Sequence, residues 1–308
     1  MVGIFVYPLC TSMELVNDIA RQDVLPSLEA IEKARSKLLT ALPDGGIGAA
    51  SIKEHLQQDL IPGLSRSSQS PHYYGFVTGG ATPAASLADN IVTETDQNVA
   101  VHLNKDSIAT DVEDRALSML CELLDLSPAH WPHRIFSTGA TASNVLGLAC
   151  GREYAVSGAA RRQRLNPVPS VAEHGLIGAM AMAGLSKIQI LTTQPHSSLR
   201  KAASIVGLGR ACVIDVGLDR ESQRFDMSVL EMELQRIGAA SMVVVSCGEV
   251  NTGLFATDGD GMAHLRSLCD KYGAWLHVDA AFGMLARVLP ATDEYTTCLL
   301  YTSPSPRD

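Results

Sequence analysis

Three groups of residues have types and spacing that could do chemistry together. The first is Asp279, which closes a short apolar run, Trp275-Leu276-His277-Val278, and is followed by Ala280, Ala281 and Gly283. Such a run suits a buried strand, and open α/β sheets bind ligands at the carboxyl ends of their strands. A carboxylate placed there can face a bound cationic group, and the small residues beyond it leave room for a flat ring. Taken alone, Asp279 suits a turn or a cap equally well. The second group is Ser137-Thr138-Gly139-Ala140-Thr141-Ala142-Ser143-Asn144, read as a small polar turn leading from a strand (134–136) into a helix. A helix N-terminus presents free backbone N–H groups and the positive end of a dipole, so it suits a phosphate. With no Gly-Lys-Ser/Thr, this is not a Walker loop. The third is Pro195-His196-Ser197-Ser198, where an imidazole sits after a strand and before a helix and can exchange a proton with a substrate.

The elements that must position these groups alternate. Strands are expected over 187–192, 211–216, 241–247 and 275–278, separated by helical runs. One of these runs goes to about Val206. Another is capped by Asp226, and a third runs from Thr257-Asp258 to a Gly273 C-cap. Strand–helix alternation of this kind means a mostly parallel sheet flanked by helices. Ahead of it, 109–124 is an amphipathic helix. Residues 17–42 and 51–60 read as helical and polar, with a break at Pro26 and another at Pro43-Asp44-Gly45-Gly46.

Composition bounds the rest. The chain has 308 residues and is 46% hydrophobic, enough for a sizeable core. No apolar run approaches the roughly 18–20 residues of a spanning helix. The nearest, 175–185, reads as a buried segment, so no membrane partner is expected. The net charge of −9 argues against nucleic acid. Seven cysteines without CxxC spacing suit a reducing, cytoplasmic setting better than a disulfide framework, and speak against zinc. No metal site is assigned: His277 and Asp279 share a strand face, but two ligands are too few.

Taken together, the motifs resemble those of the group II amino-acid decarboxylases, pyridoxal-phosphate (PLP) enzymes of fold type I. His277-Val278-Asp279-Ala280-Ala281 resembles that family's aspartate strand. The 137–144 turn resembles its phosphate turn, and 195–198 its histidine segment. Pro71-His72-Tyr73-Tyr74-Gly75-Phe76 resembles a pocket-lining segment, and Gly248 to Gly253 a loop near the cofactor. The resemblance covers about residues 15 to 295. It implies a large PLP-binding domain, an amino-acid substrate losing its α-carboxylate, and a homodimer. It implies that Asp279 holds the ring nitrogen protonated, that His196 stacks on the ring, and that Ala140 and Thr141 meet the phosphate. Ser246 or Thr252, with Ala281, would lie near the cofactor, and His72, Tyr74 and Phe76 would line the substrate pocket. Val77 and Thr78 stand where aromatic-substrate members carry a bulky ring and a proline.

The expected division is a helical segment at 1–70, an incomplete large domain at 71–297, and a tail at 298–308. The family attaches its cofactor to a lysine beyond the aspartate, yet no lysine follows Lys271. The tail, with its Ser-Pro-Ser-Pro run, resembles translated adapter sequence. The expectation is therefore a decarboxylase fragment without turnover. A related PLP carbon–carbon lyase of the sphingosine-phosphate-lyase kind, and a non-catalytic dimerising relative, are the alternatives.

Overall fold

The structure, a computed structural model, describes residues 24–70, 73, 80–218, 220, 221 and 223–288. The expected pocket residues His72, Tyr74 and Phe76 and the 298–308 tail lie outside the described residues. The chain divides into two compact units, one up to Gln97 and one from Asn98.

In the first unit, α1 (Leu28–Ser36) starts just past Pro26, with the Ser27 hydroxyl accepting the Ala30 amide at 3.1 Å. Helix α2 (Ala49–His55) runs on through a π turn at Leu56–Leu60 and is closed by a 3-10 turn at Ile61–Gly63, where Pro62 removes a donor. A Cβ at Gly63 would lie 2.5 Å from that of Ala34, so this turn packs directly on α1. Helix α3 (Pro83–Thr95) carries proline in its first turn and the Thr82 hydroxyl as its cap.

The second unit holds the sheet. Its elements in order are α4 (Ala109–Leu123), α5 (Ala140–Arg162), α6 (Val171–Met182), β1 (Lys187–Thr192), α7 (Ser197–Ile205), β2 (Val213–Asp215), α8 (Met227–Leu234), β3 (Ala239–Ser246), α9 (Gly259–Tyr272) and β4 (Trp275–Asp279). The sheet order is β2-β1-β3-β4 and every pairing is parallel, as the alternation predicts. Both faces are covered, which suits near-continuous apolar strands. Ile190, Met242 and Val244 point into one core with α5, α6 and α7. Their neighbours Leu191, Val243, Val245 and Leu276 point into the other, with α8 and α9. Gln189, a long polar side chain in the sheet interior, donates to the Glu233 carbonyl at 2.8 Å and to Ser241 Oγ at 3.1 Å.

Three expectations are corrected. Residues 134–136 form no strand. Ile135 and Phe136 are exposed, no neighbouring strand among the described residues pairs with them, and the Arg134 guanidinium instead ties the segment to the carbonyls of Pro128 and Trp131. The 211–216 strand shortens to Val213–Asp215, because a 3-10 turn at Arg210–Cys212 precedes it. The 175–185 segment is not buried throughout: Ala179 and Ala183 are enclosed, but Ile177 is 86% exposed on α6.

Candidate functional site

The parallel register brings the expected residues to one edge. Ser246 ends β3 directly opposite Asp279 at the end of β4, and the Asp279 carbonyl accepts the Cys247 amide at 2.8 Å. One strand further on, β1 runs through Thr192 to His196, which caps α7. The tight turn after β4 depends on a missing side chain: a Cβ on Gly283 would lie 2.4 Å from the Cys247 carbonyl oxygen.

Helix α5 supplies the other half. It begins at Gly139 with φ +145°, a region that disfavours side chains, and no side chain caps its first turn. Ala140 is exposed and Thr141 half-buried at that turn. The hydroxyls of Ser137 and Ser143 meet at 2.6 Å beside it. Nothing lies within 4 Å of a Cβ built on Gly139. Uncapped N–H groups, small residues and open space suit a phosphate.

The residue that joins the two halves is Asn144, 2% exposed in the first turns of α5. Its Nδ2 donates to Asp279 Oδ2 at 3.0 Å and to Ser198 Oγ at 3.2 Å. Its Oδ1 faces His277 Nε2 at 2.8 Å. Ser198 in turn bonds His196 Nδ1, through its Oγ at 2.8 Å and through its backbone N–H at 3.2 Å. Asp279, His196, Asn144, Ser198 and His277 therefore form one connected cluster. Burial holds the His277 imidazole below the ordinary histidine value, outweighing the pull of the Asp279 carboxylate.

Asp279 Oδ1 takes only a 3.4 Å contact from the exposed Ala281 amide, and among the described residues no lysine or arginine pairs with this carboxylate. A carboxylate with an unspent oxygen at a sheet edge, a neutral imidazole nearby and an uncapped helix start together form a donor set that fits a phosphorylated pyridine. The Thr252 amide and hydroxyl both bond the Glu249 carboxylate, at 3.0 and 3.1 Å, closing the 248–253 turn on itself. Among the described residues no group of three or more His, Cys, Asp or Glu is placed to hold a metal ion. No helix among them is long and apolar enough to cross a membrane.

Sequence reasoning picked out the segment that ends at Asn144 but gave Asn144 no role. The available signal was a polar residue inside the buried stripe Asn144, Leu148, Gly151, Ala155 of an otherwise apolar helix face. His277 was likewise passed over, except as a weak metal ligand.

This is the sheet and edge of the large domain of fold type I PLP enzymes. The model of the pyridoxal-dependent decarboxylase conserved domain matches residues 32–293, and the chain belongs to that family, whose cofactor is pyridoxal phosphate. It is 30% identical over 153 residues to an L-2,4-diaminobutyrate decarboxylase of Acinetobacter baumannii, covering 48% of this chain and 28% of that one. It is 25% identical over 259 residues to tyrosine/DOPA decarboxylase 2 of Papaver somniferum, covering 83% and 45%. The Oryza sativa TDC crystal structure with PLP and tryptamine superposes with a TM-score of 0.69 at 19% identity, covering 96% of this chain and 63% of that one. The chain thus spans half or less of the length of these curated relatives.

Proposed function

We propose that this chain carries the cofactor-binding part of a PLP-dependent enzyme that decarboxylates an L-amino acid. The observation that supports it most is the Asp279 carboxylate at the end of β4, held on one oxygen by a buried amide and free of any cationic partner among the described residues. When bound, the protonated pyridine ring of PLP accepts the electron pair left as the carboxylate departs.

The chain's own residues have separable tasks. Asp279 holds a proton on the ring nitrogen. The Ala140 and Thr141 N–H groups, at the dipole end of α5, bind the phosphate. His196 covers a ring face and presents Nε2 to the substrate side. Ser246 and Ala281 border the ring edge. Residues 71–297 form the large domain, the whole protein is a cytoplasmic homodimer, and the substrate is a small molecule, an L-amino acid.

Two of the described lysines are placed away from the end of β4 that carries Asp279. Lys187 opens β1 at the opposite end, and Lys271 donates to Glu231 Oε1 at 2.8 Å between α8 and α9. We therefore expect PLP binding by this chain without turnover. Titration of the chain with PLP, followed by absorbance and equilibrium dialysis, should give saturable binding that Asp279→Ala weakens by about tenfold or more. Amine release from this chain alone overturns the inactivity, and PLP binding indifferent to Asp279 overturns the site.

A further inference from the structure

Hydrogen-bond chemistry fixes the orientation of the whole Asn144 cluster. An ionised carboxylate only accepts, so the Asn144 atom facing Asp279 Oδ2 at 3.0 Å must be the amide nitrogen. Its oxygen then faces His277 Nε2 at 2.8 Å, and that nitrogen must carry a hydrogen. At the other end, His196 Nδ1 accepts the Ser198 backbone N–H at 3.2 Å, so it carries none. Ser198 Oγ accepts from Asn144 and is free to donate to the same Nδ1 at 2.8 Å. The direction runs without a break from His277 through Asn144 and Ser198 to His196, with a branch to Asp279.

Packing holds the origin of that chain in place. A Cβ on Gly147 would lie 2.4 Å from His277 Cε1 and 2.6 Å from its Nδ1, so the Nδ1–Cε1 edge of the ring lies against the α5 backbone. A Cβ on Gly151, one turn on, would lie 2.6 Å from both Met242 Sδ and Trp275 Cδ1. The glycines bring α5 onto β3 and β4 closely enough for Asn144 to reach both Asp279 and Ser198.

Building on the proposed role of Asp279, we infer that Asn144, held by His277, is a positioning residue that aims the Asp279 carboxylate at the cofactor nitrogen and fixes His196 with its proton on Nε2. His277 touches neither cofactor nor substrate in this scheme. It acts through the asparagine.

The test has two arms. Ring 15N NMR of the apo chain should show both His277 and His196 as the Nε2–H tautomer. Binding of PLP is then compared with binding of its 1-deaza analogue, in which carbon replaces the ring nitrogen. The wild type should prefer PLP by about tenfold or more. Asn144→Leu and His277→Leu should lose that preference, their affinity for PLP falling further than their affinity for the deaza analogue. His277→Gln, whose amide can still donate to Asn144 Oδ1, should regain most of it. A His277 that carries its proton on Nδ1, or a His277→Leu variant with the full preference, overturns the inference and leaves the role of Asp279 standing. Expected tautomers with no wild-type preference for PLP overturn the Asp279 role itself, and the inference falls with it.

Discussion

Gly147→Ala gives the sharpest test of the packing beneath the site. The new Cβ would sit 2.4 Å from His277 Cε1, while ordinary contact begins at 3.4 Å, so the ring or the helix must give way by the difference, 1.0 Å. Adding that to the 2.8 Å bond between His277 and Asn144 stretches it to 3.8 Å, beyond hydrogen-bond range. Overpacking costs about 1–3 kcal/mol, and leaving a buried acceptor unsatisfied about 1–3 more. Alanine returns about 1 kcal/mol of helix propensity. The net expectation is a loss of roughly 1–5 kcal/mol, centred near 3. Gly158→Ala is the internal control. It lies in the same helix, but its Cβ meets only Arg162 Nη1, at an ordinary 3.5 Å, so it should be neutral or stabilise by up to about 1 kcal/mol. The chain's two tryptophans, Trp131 and Trp275, both lie in the second compact unit, so urea unfolding followed by fluorescence reports on that unit alone. If Gly147→Ala proves as stable as Gly158→Ala, the close approach of α5 to His277 is refuted.

Other outcomes follow from particular contacts. Because burial lowers the His277 value in the folded state, the unfolded chain binds the extra proton between that value and about pH 6.5; stability tied to His277 is complete above about 6.5 and drains as pH falls through that window. Urea midpoints of wild type and His277→Gln at about pH 7.5 and about pH 5.5 should diverge on the acid side, and parallel curves would falsify the neutral buried imidazole. Asp226→Ala removes a cap that accepts from Ser228 N at 2.9 Å and Val229 N at 3.0 Å, and should cost about 1 kcal/mol in the same unfolding assay; an unchanged midpoint contradicts the cap. Burial pushes the Cys269 thiol up to about 12 and the Cys212 thiol up to about 11. Under native conditions near pH 8, iodoacetamide should label the exposed Cys150 and spare Cys269 until urea is added, as read by peptide mass spectrometry; early labelling of Cys269 refutes its burial.

What could be read from the chain beforehand was whatever depends on near neighbours. Helix α9 follows from Asp258, which caps Gly261 at 2.8 Å, and from Gly273 in the left-handed conformation at its other end. Strands β3 and β4 follow from β-branched and apolar runs that need two covered faces. The edge position of Asp279 follows from the end of its run. The role of Asn144 could not be read this way, because its partners Asp279 and His277 lie 135 and 133 residues away in sequence. Ile135-Phe136 misled for the opposite reason: strand propensity describes a residue's fit to a pleated, half-buried surface, and among the described residues no strand stands beside these two to provide one. The 248–253 turn holds a detail of the same kind as Asn144: the Glu249 carboxylate gathers the amides of Asn251 and Thr252, an arrangement the motif alone does not reveal.

Helix α5 carries at its first turn the residues proposed for the phosphate, and four positions later the amide that bonds Asp279. Four helical residues advance about 6 Å along the axis, and the glycine face of α5 seats that length on β3 and β4. On the proposed function, the spacing between the two ends of the cofactor is gauged by one rigid rod laid across the sheet, with no independently moving loop between them. Substrate choice can then drift in other segments over evolutionary time without detuning the gauge. By the same logic, a single alanine at the foot of the rod should disturb both ends of the cofactor at once.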